Sequence, residues 1–325
     1  TADVSMIASS GGAAAVGGLV VRNDVRSQVL AEVENVDGAA TEDFWVLALE
    51  SATIEATLAG ETKSLATAAD PATDAAAADT AATDSTSTAD AATGGTGTDT
   101  TAAGGSPLAL NGLIATNMIL IDANATLRDS FASVGGSLGV ESQDSATITA
   151  ENTASTSSSG VAAGVVLAFN TVGWQAQNIF SAAIDTLIGT DGLGEAQSAT
   201  SSAEISNTML EVGEDLSLTA VSVPEINASI ENTVNSTGGA AVGLVLASNL
   251  VSANANALLT PKSTTGAEQI PDIVFNVGGN VLAKSSDTAS IVARIGAAVG
   301  SEGAAAMGIV FFITPTAALI GAIIG

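Results

Sequence analysis

The chain has no cysteine, no histidine and no tyrosine among its 325 residues. The missing cysteine excludes a disulfide framework and thiolate metal sites. Basic residues are nearly as scarce, with seven Lys and Arg against 34 Asp and Glu, for a net charge of −27. Those seven (Arg22, Arg26, Lys63, Arg128, Lys262, Lys284 and Arg294) are scattered along the chain. Phosphate backbones are bound by clustered cations, so nucleic acid is excluded as a partner, and the same deficit argues against an anionic membrane surface. Without His, Cys or Tyr, catalysis would have to rest on carboxylates, hydroxyls and isolated cations. The chain therefore reads as a non-enzyme. A carboxylate pair for glycan cleavage, or a Ca²⁺-assisted polysaccharide lyase, is the remote enzymatic alternative.

Aromatic residues are few enough that Trp45, Trp174 and the seven Phe are expected to fill core gaps or interfaces. What fills the chain instead is small. Hydrophobic residues reach 46% while charged ones are only 13%, and most of the remainder is Gly, Ser and Thr. Such side chains bury little area each, so the fold must lean on backbone hydrogen bonding and close stacking. Strong acidity fits solubility through self-repulsion, a saline medium, or divalent cations. The first residues carry no basic region of the kind a signal peptide needs. The chain is expected to be a mature or truncated piece of something longer, with any signal or anchor outside it.

Internal repetition is the strongest signal. A Gly-rich block turns apolar and ends in Asn: GGAAAVGGLVVRN at Asn23, GVAAGVVLAFN at Asn170 and GGAAVGLVLASN at Asn249. A weaker copy, GGSPLALNGLIATN, ends at Asn117, and GAAAMGIVFFIT places Thr314 at that position. Six residues earlier stand Gly17, Asn111, Gly164, Gly243 and Gly308. A second block centres on Ile54, Ile148, Ile226 and Ile291, with Phe44, Leu138, Leu216 and Val281 ten residues upstream of each. From Ile to the Asn position is 22 or 23 residues in the last three copies and 63 in the first. The excess is a low-complexity Ala/Thr/Asp insertion over 60–104. The units are a leading half repeat, 1–34, a repeat with the insertion, 35–133, then 134–211, 212–276 and a truncated or C-terminal 277–325.

These blocks alternate about every second residue, the period of a strand, and Gly, Asn, Asp and Ser clusters punctuate them as turns do. Helix is the competing reading for AVGLVLASNLV, opposed by its paired glycines and β-branched residues. The expected fold is all-β, a parallel β-helix or β-solenoid-like repeat array with one low-complexity insertion. In that fold Asn23, Asn117, Asn170 and Asn249 are expected to stack as a structural ladder of side-chain amides. The alternative is that each Asn only ends a strand in a turn. A string of separate β-sandwiches is the competing architecture.

The pattern G-G/D-x-L-x-V, then A-x-I-x-A, then GGAAVGLVLAxN resembles the repeats of giant bacterial surface and secreted proteins, the filamentous-haemagglutinin-like β-helical adhesins and related exoproteins. The likeness covers nearly the whole chain outside the insertion. It implies a β-solenoid-like surface protein and carries no active-site residues. The Gly-Asp nonapeptide of calcium-binding β-rolls is missing.

Within the insertion, Asp70, Asp74, Asp79, Asp84 and Asp90 stand among Ala and Thr as weak Ca²⁺ candidates, without an EF-hand pattern. The plain alternative is a solvated loop. Sequons at Asn124, Asn227 and Asn235 are expected by chance in so Ser/Thr-rich a chain. The uncharged stretch 303–325 is long enough for a membrane helix, yet it aligns with the fifth apolar block and Pro315 interrupts it, so a buried solenoid segment is favoured. The function expected is a non-enzymatic, extracellular or cell-surface structural protein. It would form rods or filaments by self-association, with a possible adhesive contact to surface glycans. A glycan- or ice-binding module is the alternative, and no cofactor other than Ca²⁺ is anticipated.

Overall fold

A computed structural model describes residues 1–12, 14–65, 107–173, 199–260, 275–313 and 316–324, with the backbone alone at 313 and 316–324. Every strand pairing among them is parallel, and the strands wind into a β-solenoid with three faces. The first broad face, A, stacks β1 (Ala2–Ser10), β4 (Phe44–Ser64), β7 (Leu138–Ser158), β11 (Leu216–Ser236), β14 (Val281–Asp287) and β15 (Ser290–Ser301). The second, B, stacks β2 (Ala14–Glu34), β5 (Leu108–Arg128), β8 (Val161–Val172) with β9 (Ala199–Ser206), β12 (Ala241–Thr260), and β16 (Ala306–Ile313) with β17 (Thr316–Ile324). A narrow third face stacks β3 (Asp37–Ala40), β6 (Phe131–Val134), β10 (Met209–Val212) and β13 (Phe275–Val277). The broad strands reach 21 residues, about 70 Å at the rise of an extended chain.

The repeat positions coincide with register. Phe44, Leu138, Leu216 and Val281 pair in one column, and Ile54, Ile148, Ile226 and Ile291 in another. Gly17, Asn111, Gly164, Gly243 and Gly308 form a third. Alternation decides which side chains go inside. Along β7 the even-numbered residues, Leu138 to Ser158, are buried, and along β11 likewise. The segment AVGLVLASNLV is strand throughout, because its glycine column and β-branched neighbours meet partners on both edges. The apolar stretch near the C-terminus follows β12 as β16 and β17, and among the described residues no helix is long and apolar enough to cross a membrane.

Each corner has its own chemistry. From A to B the chain turns on a serine column, Ser10, Ser64, Ser158, Ser236 and Ser301. Ser158 accepts from the Gly160 amide at 3.0 Å and donates to the Pro107 carbonyl at 2.9 Å, and Ser301 donates to the Gly239 carbonyl at 2.6 Å. The hydroxyls of Ser158, Ser236 and Ser301 thus shape their own turns and tie them to the neighbouring coil. From B to the third face the turn residues Asn35, Asp129 and Asn207 have φ of 56°, 50° and 46°, a left-handed conformation that Asn and Asp tolerate best among side-chain-bearing residues. From the third face back to A, successive coils touch backbone to backbone. A Cβ at Gly213 would stand 2.2 Å from the Gly135 carbonyl, so only glycine fits.

One expectation is corrected and a second narrowed. Gly60–Ser64 belong to β4 and pair with Ala154–Ser158, so the insertion begins after the strand and not at Gly60. Trp45, expected in a core gap or an interface, has no place in the core. It falls on the outward phase of β4, half exposed, and its ring lies over Gly139, where a Cβ would collide with it.

Candidate functional site

The interior is the first place to look for chemistry. Position 23 and its equivalents point inward, at the middle of face B. The Asn23 amide donates to Asn117 Oδ1 at 2.7 Å, Asn117 donates to Asn170 at 2.8 Å, and Asn170 donates to Asn249 at 2.7 Å. Asn117, Asn170 and Asn249 are buried. The chain of amides runs with one polarity, and Asn249 Nδ2 ends it without a partner among the described residues. The 53-residue step from Asn117 to Asn170 is one coil without an insertion, whereas the 94-residue step from Asn23 to Asn117 spans the longest one. Stacked side-chain amides polarise one another along the row, which strengthens each bond.

A second polar layer faces the ladder's neighbours. Asn111 takes the glycine position of its column and donates to the Gly60 carbonyl of face A at 2.9 Å. One coil further, Asn232 of face A donates to the Gly164 carbonyl of face B at 3.1 Å. Large and small residues exchange faces, so the two sheets keep the same spacing. The sequence shows this only as an unexplained Asn among glycines.

The third polar layer is a pinch that divides the core. One apolar cluster surrounds Ile54, Ile148 and Ile226, the other Leu138, Leu216 and Leu218. Between them Ser142 donates to the Ala123 carbonyl at 2.6 Å, and Ser201 donates to the Ser142 carbonyl at 2.9 Å. The Val221 amide donates to Ser201 Oγ at 3.2 Å. Faces A and B are thus held one serine side chain apart. Beside the serines runs an inward column of Glu50, Asp144, Ser222 and Asp287. Asp144 is 1% exposed, and its Oδ2 has no hydrogen-bond partner among the described residues. Burial pushes its carboxyl up to about 6, opposed by Ser222 and the Val223 backbone and reinforced by Asp287 and Asp122. Burial raises Asp287 as well. Sequence reasoning passed over this column because Glu50, Asp144 and Asp287 are far apart in the chain and only register joins them.

The Ca²⁺ candidates Asp70, Asp74, Asp79, Asp84 and Asp90 lie outside the described residues, as does Trp174. Among the described residues no group of three or more carboxylates is placed to hold a metal ion. The sequon residues Asn124, Asn227 and Asn235 sit on outward phases. Several cations are paired locally, Arg26 with Asp24, Lys63 with Glu61, and Arg128 with Glu32 and Glu34. An apolar cleft of about 130 Å³ opens at the corner of β2, β3 and β6, lined by Val33, Phe44 and Phe131.

The outer surfaces differ in character. On β7 and β11 face A presents mainly Thr, Ser, Asn and Glu, and on β4 the apolar Trp45, Leu47 and Leu49, while the first half of face B is apolar outside as well as inside. One outward column there reads Val20, Ile114, Leu167, Leu246 and Phe311. Val16, Leu30 and Ile7 are exposed at one end, and Met307, Phe311 and Phe312 at the other. No protein-family model, no curated protein and no solved structure matches this chain.

Proposed function

We propose that this protein is a non-enzymatic structural element of an extracellular surface or matrix, a rod that builds filaments by self-association and offers its outer faces for adhesion. One observation carries the reading: the coils stack in parallel and in one register through all the described tiers, the construction of a rod. The likeness to filamentous-haemagglutinin-like repeats supports an extracellular setting, and the acidic composition suits a saline medium.

An ice-binding face is less well supported. It would need ranks of Thr from coil to coil, but among the described residues Thr follows Thr in successive coils only as a pair, at Thr53–Thr147 outside and Thr62–Thr156 inside. Negative-stain imaging with sedimentation velocity, over a range of protein and salt concentrations, tests the structural reading. Elongated assemblies are expected. A monomer at every concentration and ionic strength would overturn it.

A further inference from the structure

Resting on that structural reading, we propose that the outer side of the first half of face B docks a second copy of this chain, flank to flank, with its stack of coils inverted. The surface lies along the side of the stack and involves neither of its ends. Four outward columns make it up, those through Leu108, Leu110, Gly112 and Ile114. Among the described residues none of the four holds an Asp, Glu, Lys or Arg, and their members are partly or fully exposed in every coil. With strands about 4.8 Å apart and outward residues about 6.7 Å apart, the columns cover roughly 600 Å². An exposed apolar patch of that size marks an interaction surface. Two copies face to face bury about 1,200 Å² together, the lower bound for a specific interface.

Two glycines point to close approach. Gly18 and Gly112 hold the same outward position on neighbouring strands, and neither has a positive φ. A Cβ on Gly112 would meet nothing within 4 Å. The single chain therefore has no steric need for glycine there, although glycine weakens a strand. A glycine of this kind leaves room for another molecule to come near.

Size and charge identify that molecule as a second copy. The glycine column reads Gly18, Gly112, Val165, Leu244 and Ile309. It is hollow on β2 and β5 and raised on β12 and β16. A two-fold axis along β8 sets Gly112 against Leu244 of the second copy, and Gly18 against its Ile309, so that each ridge fills the other's hollow. The strands stay aligned across the contact, as they do in packed sheets. Pairing without inversion sets ridge on ridge and hollow on hollow. The chain carries a net charge of −27, and an uncharged surface lets two copies meet without apposing their carboxylates.

Filling the hollow and then exchanging it with the ridge tests the pairing. Gly112→Leu should raise the concentration for half-association about tenfold. Its melting midpoint under dissociating conditions should hold or rise, because the new side chain meets open space in its own chain and the strand loses a glycine. Adding Leu244→Ala should bring association back to within about threefold of the wild type, with the wild-type circular-dichroism spectrum retained in both variants. Sedimentation velocity over a range of protein concentrations reads each effect. Wild-type monomers under all conditions would overturn the pairing and the structural reading together. Assembly indifferent to Gly112→Leu, or weakened by it and not restored by the second substitution, would overturn the pairing alone and leave a different contact to build the filament.

Discussion

Asn170 shows what a single side chain contributes here. It accepts from Asn117 and donates to Asn249, both inside the solenoid. Asn170→Ala removes both bonds and leaves an amide N–H and a carbonyl oxygen unpaired in a buried site. The expected loss is about 2–4 kcal/mol of unfolding free energy, read from denaturant midpoints. A loss under about 0.5 kcal/mol would mean the row adds little. Asp144 acts in the opposite sense. Its carboxyl titrates near pH 6 in the folded chain, against 3.8 for an ordinary aspartate. Below pH 3.8 both states hold the proton and the site is neutral to stability. Between 3.8 and about 6 only the folded state keeps it, so stability falls as pH rises, and above that the whole penalty, about 2–3 kcal/mol, is present. Asp144→Asn should therefore gain on the wild type by that amount between pH 4 and pH 7. A pH-independent difference between the two would contradict the assignment.

At the scale of the element, the turns explain how insertions are tolerated. β4 ends at Ser64 and β5 begins at Leu108, while one coil later Ser158 is followed by Val161 after only Ser159 and Gly160. The strands on either side keep the same register. Replacing 65–107 by Ser-Gly should leave the strand content unchanged and shift the melting midpoint by no more than a few degrees, since loop length contributes weakly to stability. Loss of the cooperative transition would show that the segment does more than connect. Gly213→Ala, by contrast, drives a methyl into the Gly135 backbone, and a cost of about 1–3 kcal/mol is expected.

The same contrast marks what was legible beforehand. The Ile and Asn columns could be found because the same residue types recur at the same offsets within each coil. The alternation of β7 and β11 could be read directly as inside and outside. The acidic column at the pinch could not, since Glu50, Asp144, Ser222 and Asp287 differ in type and only stacking aligns them. Scarcity of aromatics marked Trp45 for a core gap or an interface, and only the phase of β4, which turns it outward over Gly139, decides against the core. The serine column was hidden by a serine-rich background in which no single Ser stands out.

For the whole molecule, everything rests on coils stacked in parallel and in register. Thr53 and Thr147 are outward neighbours in adjacent coils, and Thr149 lies two residues further along β7. Neighbours in register stand about 4.8 Å apart, and the diagonal pair about 8 Å. A disulfide bridges Cα atoms about 4.4–6.8 Å apart and not those beyond about 7 Å. The chain has no cysteine of its own, so an introduced pair reports without interference. Under mild oxidation the Thr53→Cys/Thr147→Cys variant should form an intramolecular disulfide in high yield, and the Thr53→Cys/Thr149→Cys variant should not. Cross-linking of the second pair in place of the first, or of neither, would contradict the stacked register.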